Sequence, residues 1–180
     1  MKRDVTIKPY RTANGQIDFQ MFEGNSKTPT DTLEFDKTKD KMKKSDVYDI
    51  HFSLENAADT NLVFLDDPNN RDECMWVAKG SKQQPPACPS SRVSHPEFAI
   101  KTVSDLALTV ENKDNDECKY KFVLSFVDKD DGNKVVRFDP IYDNKNGGLQ
   151  TTVSGMSGGP IILLGVATIA VIGLIYLSAR

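Results

Sequence analysis

Hydrophobic and polar residues alternate with a period of two along most of the first 142 residues. The clearest case is VYDIHFSLE, residues 47–55, in which every second side chain is apolar and those between are mostly polar. Such alternation places the apolar side chains on one face of a β-strand. Eight further segments carry this pattern or a short apolar run: 5–10, 16–22, 33–35, 62–65, 74–78, 106–110, 120–126 and 135–138.

Turn signals separate these segments. Asn14-Gly15 lies between the first two segments, and this dipeptide favours a tight β-hairpin. Asp131-Gly132 likewise predicts a turn before the last segment. The one suggestion of helix is a single turn over residues 38–44. Many short strands with one apolar face predict an all-β domain, specifically an immunoglobulin-like two-sheet sandwich. A closed barrel is the alternative.

The last 35 residues differ sharply in charge from the rest of the chain. Residues 146–179 contain no Asp, Glu, Lys or Arg, whereas residues 1–145 hold 22 of the 23 basic and all 26 acidic residues, a net charge of −4. Residues 144–159 are rich in Gly, Ser and Thr, which is typical of a flexible linker. The expected organisation is a β-domain over 1–143, the linker over 144–159 and a transmembrane helix over 160–180.

The predicted transmembrane helix depends on an almost uninterrupted aliphatic run, residues 161–177. With its flanks the run has about 20 residues, which in a helix span about 30 Å, the thickness of a bilayer's hydrocarbon core. An aromatic ring and a terminal arginine suit the membrane interface. The residues expected to form the anchor are Ile161, Leu164, Val166, Ile169, Ile172, Leu174, Tyr176 and Arg180.

The place of this run near the C-terminus predicts a tail anchor. The first residues of the sequence contain no apolar stretch of the kind found in secretory signals. The β-domain is therefore expected on the cytoplasmic side of a membrane, although Lys145 and Arg180 flank the tail with one charge each and leave the orientation open. The alternative is an exported envelope or surface component held by the same segment.

The segment CKYKFVLSFVDKDDGNKVVRFDPIYDN, residues 118–144, resembles the closing strands of small bacterial immunoglobulin-like sandwiches. Its hairpin and Asp139-Pro140 are similar to the uncharacterised DP-EP family. The resemblance implies a sandwich fold and no activity, because one fold hosts many functions.

Three cysteines, Cys74, Cys88 and Cys118, leave two disulfide pairings open. Should the domain face an oxidising compartment, Cys74 and Cys88 would close a local loop of 15 residues. Cys74 and Cys118 are the alternative pair, since both follow an Asp-Glu dipeptide and their strands are expected to start at the same end of the sandwich. In a reducing cytoplasm all three are expected to remain thiols.

Acidic side chains gather in the two loops that precede these strands. Ca²⁺ takes six to eight oxygen ligands, which such loops often supply. Asp66, Asp67, Asp72 and Asp116 are therefore candidate calcium ligands, although turns favour the same residues without any ligand. No cysteine and histidine spacing typical of a zinc site occurs, and no cofactor is expected.

Five lysines lie within segment 37–44, where a solvated loop and contact with anionic lipid headgroups are the two explanations. They are Lys37, Lys39, Lys41, Lys43 and Lys44. The Pro- and Ser-rich segment 80–96 is expected to be a long loop that takes part in partner recognition. The chain has no broad basic excess, which argues against nucleic acid as a partner.

The sequence contains no phosphate-binding, dinucleotide-binding or paired-carboxylate motif, so catalysis is not expected. The expected function is protein interaction or structural assembly by a single-pass membrane protein, with a protein partner or with copies of itself. A calcium- or ligand-binding sensory module is the alternative.

Overall fold

A computed structural model describes residues 1–145 of the chain. Over this range the chain forms eleven β-strands, one short 3₁₀-helix at Arg71–Cys74 and no α-helix. The strands are β1 (Lys2–Arg11), β2 (Ile17–Glu23), β3 (Thr32–Phe35), β4 (Tyr48–Leu54), β5 (Leu62–Phe64), β6 (Met75–Lys79), β7 (Phe98–Ser104), β8 (Ala107–Asn112), β9 (Cys118–Asp128), β10 (Lys134–Phe138) and β11 (Ile141–Asn144).

The first sheet contains five strands in the order β2-β1-β4-β8-β7. β1 and β2 form the hairpin that Asn14-Gly15 predicts, and Gly15 has a φ of 76°, which glycine adopts without strain. β1 pairs in parallel with β4, whereas β4, β8 and β7 pair antiparallel. The sheet is therefore mixed, with β2 and β7 at its edges.

The second sheet is built around β9, its longest strand. One edge of β9 pairs with β6 and then with β5. The other edge pairs with β11 and then with β10, and β3 lies beyond β11 as a parallel neighbour. The domain thus has two separate mixed sheets, and the alternative prediction of a closed barrel is wrong.

Aromatic side chains join the inner faces of the two sheets. The ring centroid of Phe52 in the first sheet lies 6.0 Å from that of Phe122 in the second. Phe98 stacks on Tyr142 at 4.8 Å, and Tyr142 stacks on Phe122 at 3.8 Å. These side chains belong to one buried cluster, so both sheets share a single hydrophobic core, whose removal from water favours folding.

Strand directions place two loops at the same end of the domain as Lys145. β3 and β11 both end there, since Phe35 pairs with Asn144. β9 begins there, since its first residue also pairs with Asn144. The loop 36–47 after β3 and the loop 113–117 before β9 therefore lie at what we call the Lys145 end. The β1–β2 and β9–β10 turns lie at the opposite end.

The predicted all-β domain with two sheets is confirmed. β7 and β11 were not expected from the sequence pattern: a register shift between Ile100 and Thr102 interrupts the alternation of β7, and β11 is only four residues long. The inner-face position predicted for Leu106 is wrong, because this residue lies in the β7–β8 turn and is 53% exposed. Segment 38–44 forms turns instead of a helix.

The predicted transmembrane helix over 160–180 and nearly all of the predicted linker lie outside the described residues. β11 includes Asn144, the first residue assigned to the linker. Within residues 1–145, no helix has the length and apolar character that crossing a bilayer requires.

Candidate functional site

Segment 36–47, which we call the lysine loop, displays positive charge at the Lys145 end. Its exposed lysines form no ion pair within residues 1–145, whereas most lysines outside the loop do. The exposed residues are Lys39, Lys41, Lys43 and Lys44. The loop therefore carries a cluster of charge that no carboxylate of the described domain neutralises by direct contact.

Lys37 belongs to the same run in the sequence but is buried, with 5% of its surface exposed. Its Nζ donates hydrogen bonds to the backbone oxygens of Lys44, at 3.0 Å, and Lys113, and to Oδ1 of Asn115 at 3.5 Å. Burial lowers the pKa of Lys37. This side chain joins the lysine loop to the loop 113–117, so the prediction of lipid contact is wrong for Lys37.

The acidic residues of the lysine loop are bonded within the domain. Asp40 Oδ2 accepts hydrogen bonds from the hydroxyl of Tyr48, at 2.8 Å, and from Nη1 of Arg3, at 3.1 Å. Asp36 and Asp46 each accept a hydrogen bond from a backbone N–H of the loop, at 3.0 and 2.8 Å. The three carboxylates therefore hold the loop in place, and within the described residues none of them forms an ion pair with an exposed lysine of the loop.

A polar cavity of about 450 Å³ opens beside the lysine loop. Nε of Arg3 donates to Oε1 of Glu23 at 2.7 Å, and Nζ of Lys145 donates to Oδ2 of Asp143 at 2.5 Å. The cavity is lined by Arg3, Glu23, Thr30, Thr32, Glu34, Asp36, Lys39, Asp40 and Lys145. Both Lys39 and Lys145 belong to this lining, so the lysine loop lies next to the point where the described domain ends.

An apolar cleft of about 550 Å³ lies between β6 and β7. Met75 and Val77 line it from β6, and Phe98 and Ile100 line it from β7. Within the described part of the chain β7 is an edge strand that pairs with β8 alone. A strand edge beside apolar side chains is a common place for an additional extended segment to bind.

His95 also lines the cleft. Its Nδ1 accepts a hydrogen bond of 3.3 Å from the backbone N–H of Glu97, which leaves the proton of the neutral ring on Nε2. Its ring centroid lies 5.1 Å from that of Tyr120. Desolvation, followed by the charge of Lys79, lowers the pKa of His95, whereas Asp116 and Glu97 oppose this shift. The neutral ring is thus the form that this site stabilises.

Segment 80–96 forms a long loop without regular secondary structure, as the sequence predicts. The chain turns back at Gly80, where a Cβ atom would lie 2.5 Å from the backbone oxygen of Gln84. Further on, the carbonyl of Val93 accepts a hydrogen bond from the N–H of Val77 at 2.8 Å. The loop therefore returns to the outer edge of β6, next to the cleft, and its role in partner recognition stays a prediction.

All three cysteines are free thiols. The predicted neighbourhood of Cys74 and Cys118 is wrong, because β6 and β9 are antiparallel neighbours and Met75 pairs with Leu124. Measured along β9, the two cysteines are therefore about six residues of extended strand apart, or about 20 Å. Cys74 is buried in the core with Asp66 and Asp72 nearby, whereas the charged neighbours of Cys88 include Asp139, so the structure does not bring this pair together either.

The same register separates the candidate calcium ligands. Asp72 precedes β6 and Asp116 precedes β9, so the two residues lie at opposite ends of this strand pair. Asp116 forms an ion pair of 2.6 Å with Lys79. Asp66 and Asp67 follow β5, and within residues 1–145 no three His, Cys, Asp or Glu residues converge on a metal-sized site. The prediction that both acidic loops lie at one end is wrong.

Sequence reasoning missed two parts of this region. β7 supplies Phe98 and Ile100 to the cleft, and their spacing of two residues was the only available signal. Glu97 is 8% exposed, and its Oε2 accepts the backbone N–H of Asn115 at 2.7 Å. Nothing in the sequence distinguishes this buried glutamate from exposed ones.

No model of a known protein family matches the chain, and no curated protein shows significant similarity to it. The interpretation of the cleft and the lysine loop therefore depends on their own geometry.

Proposed function

We propose that the protein is a single-pass membrane protein whose β-domain acts as a protein-interaction or assembly module. The observation that carries the proposal is the apolar cleft between β6 and β7. Ile100 is half-buried and Ala99 exposed there, above a floor of the buried Met75, Val77 and Phe98, and the edge of β7 offers backbone groups. This combination suits an extended segment of a protein partner or of a second copy of the chain.

An immunoglobulin-like topology is part of the proposal. β4, β8 and β7 follow the order of strands B, E and D in such sandwiches, and β6, β9 and β11 follow the order of C, F and G. The hairpin of β1 and β2 then extends the first sheet beyond β4. The resemblance of residues 118–144 to small bacterial immunoglobulin-like sandwiches, including the DP-EP family, supports the same topology.

The membrane part of the proposal depends on the uncharged tail, residues 146–179, and its aliphatic run of 17 residues at 161–177. We place the β-domain in the cytoplasm and the tail in the bilayer. Export of the domain to a cell envelope or surface is the second arrangement with the same anchor. Neither arrangement assigns a cofactor or a catalytic role.

Photo-cross-linking tests the interaction site. Ala99 is exposed and lines the cleft, so a benzoylphenylalanine at this position should cross-link the full-length chain in membranes to its partner or to a second copy. A benzoylphenylalanine that replaces Asn14, which is exposed in the β1–β2 turn, serves as the control. A specific adduct at position 99 alone supports the proposal, and equal or absent adducts at both positions contradict it.

The calcium-binding alternative has no comparable support. Its candidate ligands are distributed over both ends of the β6–β9 pair. A rise in melting temperature with added Ca²⁺ that is absent in an Asp72→Asn variant would support the calcium-binding alternative.

A further inference from the structure

We propose that the lysine loop is a binding surface for anionic lipid headgroups, with Lys39, Lys41, Lys43 and Lys44 as its contact residues. This inference rests on the proposed membrane anchor and adds a partner and an orientation to it. The Lys145 end of the domain would face the membrane, and the opposite end, with the β1–β2 and β9–β10 turns, would point away from it.

The first argument is that the aspartates of the loop do not pair with its exposed lysines. Segment 36–47 holds five lysines and three aspartates, a net charge of 5 − 3 = +2, and the aspartates are bonded to backbone N–H groups or to Arg3 and Tyr48 and not to the exposed lysines. The four exposed lysines form no ion pair within residues 1–145. A local positive surface thus exists on a domain whose net charge is −4.

The fixed shape of the loop is the second argument. Lys37 joins the loop to Lys113 and Asn115 through its buried Nζ, and Met42 packs against the hydrophobic core. The backbone N–H of Met42 also donates to the carbonyl of Lys37 at 2.8 Å. Because the backbone is held in this way, the exposed lysines do not require ordering of the loop before they bind.

Position relative to the tail is the third argument. Lys145, the last described residue, lines the same cavity as Lys39, and its backbone N–H donates to the carbonyl of Phe35 immediately before the loop. The Gly- and Ser-rich composition of residues 146–159 predicts a tether of 14 residues, and a flexible chain of that length has a mean span of about 20 Å. Charges near an anionic membrane act within a Debye length of about 8 Å. The lysines next to the start of the tether are therefore the best placed to reach that range.

Lipid is favoured over nucleic acid by the same arrangement. The loop carries four exposed lysines and a net charge of +2 on a domain that is acidic overall, without a basic stripe or an aromatic platform along it. A membrane surface held close by a tether needs only local positive charge, because each lysine near an anionic bilayer strengthens binding by about fivefold.

Limited trypsin digestion of the full-length chain tests the proposal. The chain is reconstituted in vesicles of phosphatidylcholine alone and in vesicles of equal phosphatidylcholine and phosphatidylglycerol. We expect cleavage at residues 39–44 to slow at least several-fold on the mixed vesicles at low salt and to recover at high salt. Cleavage at Lys129 and Lys134, which lie at the opposite end, should not depend on the lipid and normalises the rates.

Matched charge variants complete the test. Lys41→Gln with Lys43→Gln should remove most of the protection, since two lysines account for roughly twenty-five-fold in binding. In this variant cleavage is followed at Lys39 and Lys44. Lys129→Gln with Lys134→Gln removes the same charge from the opposite end and should leave protection intact; because it lacks the two normalising sites, its cleavage at residues 39–44 is compared directly between the two vesicle types. All four side chains are exposed, so neither variant threatens folding.

Three results overturn the inference: equal cleavage on both vesicle types, protection on phosphatidylcholine alone, or equal loss of protection in both double variants. Resistance of the chain to alkaline carbonate extraction tests the anchor separately. A chain that is washed off the vesicles contradicts the proposed membrane anchor itself. A chain that stays inserted while its lysine loop is cleaved equally on both vesicle types contradicts only the lipid-binding surface.

Discussion

Two buried tyrosines differ in what their hydroxyl groups contact. The hydroxyl of Tyr48 donates to Oδ2 of Asp40 at 2.8 Å, and burial raises the pKa of Tyr48 well above its usual value, with the Asp40 hydrogen bond adding to the shift. The hydroxyl of Tyr120 is buried without a hydrogen-bond partner in the described part of the chain. A hydrogen bond to a carboxylate stabilises the fold, whereas a buried hydroxyl without a partner only adds a desolvation cost.

Removing these hydroxyls should therefore have different consequences. Tyr48→Phe is expected to lower the free energy of unfolding by about 1 to 2 kcal/mol. Tyr120→Phe is expected to change it by less than about 0.5 kcal/mol or to raise it. Urea unfolding of both variants measures the difference, and a larger loss in Tyr120→Phe would show that its hydroxyl has a partner in solution.

The environment of His95 predicts a pH dependence of stability. Its pKa is lowered in the folded state by desolvation and by Lys79, with Asp116 and Glu97 opposing, so the unfolded chain binds the proton more readily. The stability that the neutral ring provides is complete above the unfolded pKa of about 6.5 and is lost as the pH falls through and below that value.

The wild-type chain should therefore lose stability between pH 7 and pH 5 faster than a His95→Gln variant, which cannot titrate at this position. The free energy of unfolding of each protein is measured as a function of pH. The difference between the two proteins removes the contribution of carboxylates that both share. Parallel curves would contradict a lowered pKa for His95. Protonation also abolishes the acceptor for the Glu97 N–H, so the protection of the Glu97 amide, measured relative to its intrinsic exchange rate at each pH, should fall over the same interval.

At the scale of the elements, two buried amides connect the sheets. Nδ2 of Asn112 in β8 donates to Oδ1 of Asn144 in β11 at 2.8 Å, and Nδ2 of Asn144 donates back to Oδ1 of Asn112 at 3.1 Å. Both residues are fully buried. Asn112 Oδ1 also accepts the backbone N–H of Asp114 at 3.0 Å, but the Nδ2 of each amide donates to the other, which ties the last strand of one sheet to the other sheet.

A double-mutant cycle should detect this connection. Asn112→Ala and Asn144→Ala are each expected to cost about 1 to 3 kcal/mol, because each leaves the other amide buried with unmade hydrogen bonds. The double variant should cost less than the sum, with a coupling of at least about 0.5 kcal/mol. Asn61→Ala with Asn112→Ala is the control, since Asn61 bonds Asp130 on the surface and the two effects should add.

The register of β6 and β9 also predicts the reactivity of the cysteines. Cys74 is buried, and desolvation raises its pKa to about 12, so its thiol should resist alkylation until the chain unfolds. Cys88 is exposed and should react before Cys74, even though desolvation and Asp139 raise its pKa, and Cys88→Ser should abolish that fast phase. Thiol titration with a chromogenic disulfide measures both rates. A disulfide between Cys74 and Cys118 in the oxidised protein would contradict the register.

The strands show which features of the fold the sequence alone can predict. Alternation identifies strand faces because burial acts on each side chain locally, and the segment 47–55 that it predicted matches β4, Tyr48–Leu54, to within one residue at each end. It does not reveal which strands are neighbours, and adjacency of β6 and β9 reverses the expected proximity of Cys74 and Cys118. Long-range contacts likewise determine which lysines of the lysine loop are exposed. Lys37 has a sequence context similar to that of Lys39, yet its contact with Lys113 buries it.

At the scale of the whole molecule, the described domain completes its core before the uncharged tail begins. Tyr142 in β11 stacks on Phe122 and Phe98, and β11 is the strand that holds β3 in the second sheet. After Lys145 no charged residue occurs until Arg180. The solubility of the chain should therefore change abruptly with the position at which it is cut.

A chain ending at Lys145 is expected to be soluble and to unfold cooperatively, because it keeps the whole core and a net charge of −4. A chain ending at Phe138 lacks β11, so β3 loses its strand partner and Phe122 loses its stacking contact; we expect it to aggregate. Sedimentation and thermal unfolding compare the two with the full chain in detergent. If the chain ending at Lys145 aggregates while the full chain stays folded, residues 146–180 must cover apolar surface of the domain, and the division into domain, tether and anchor would have to be abandoned.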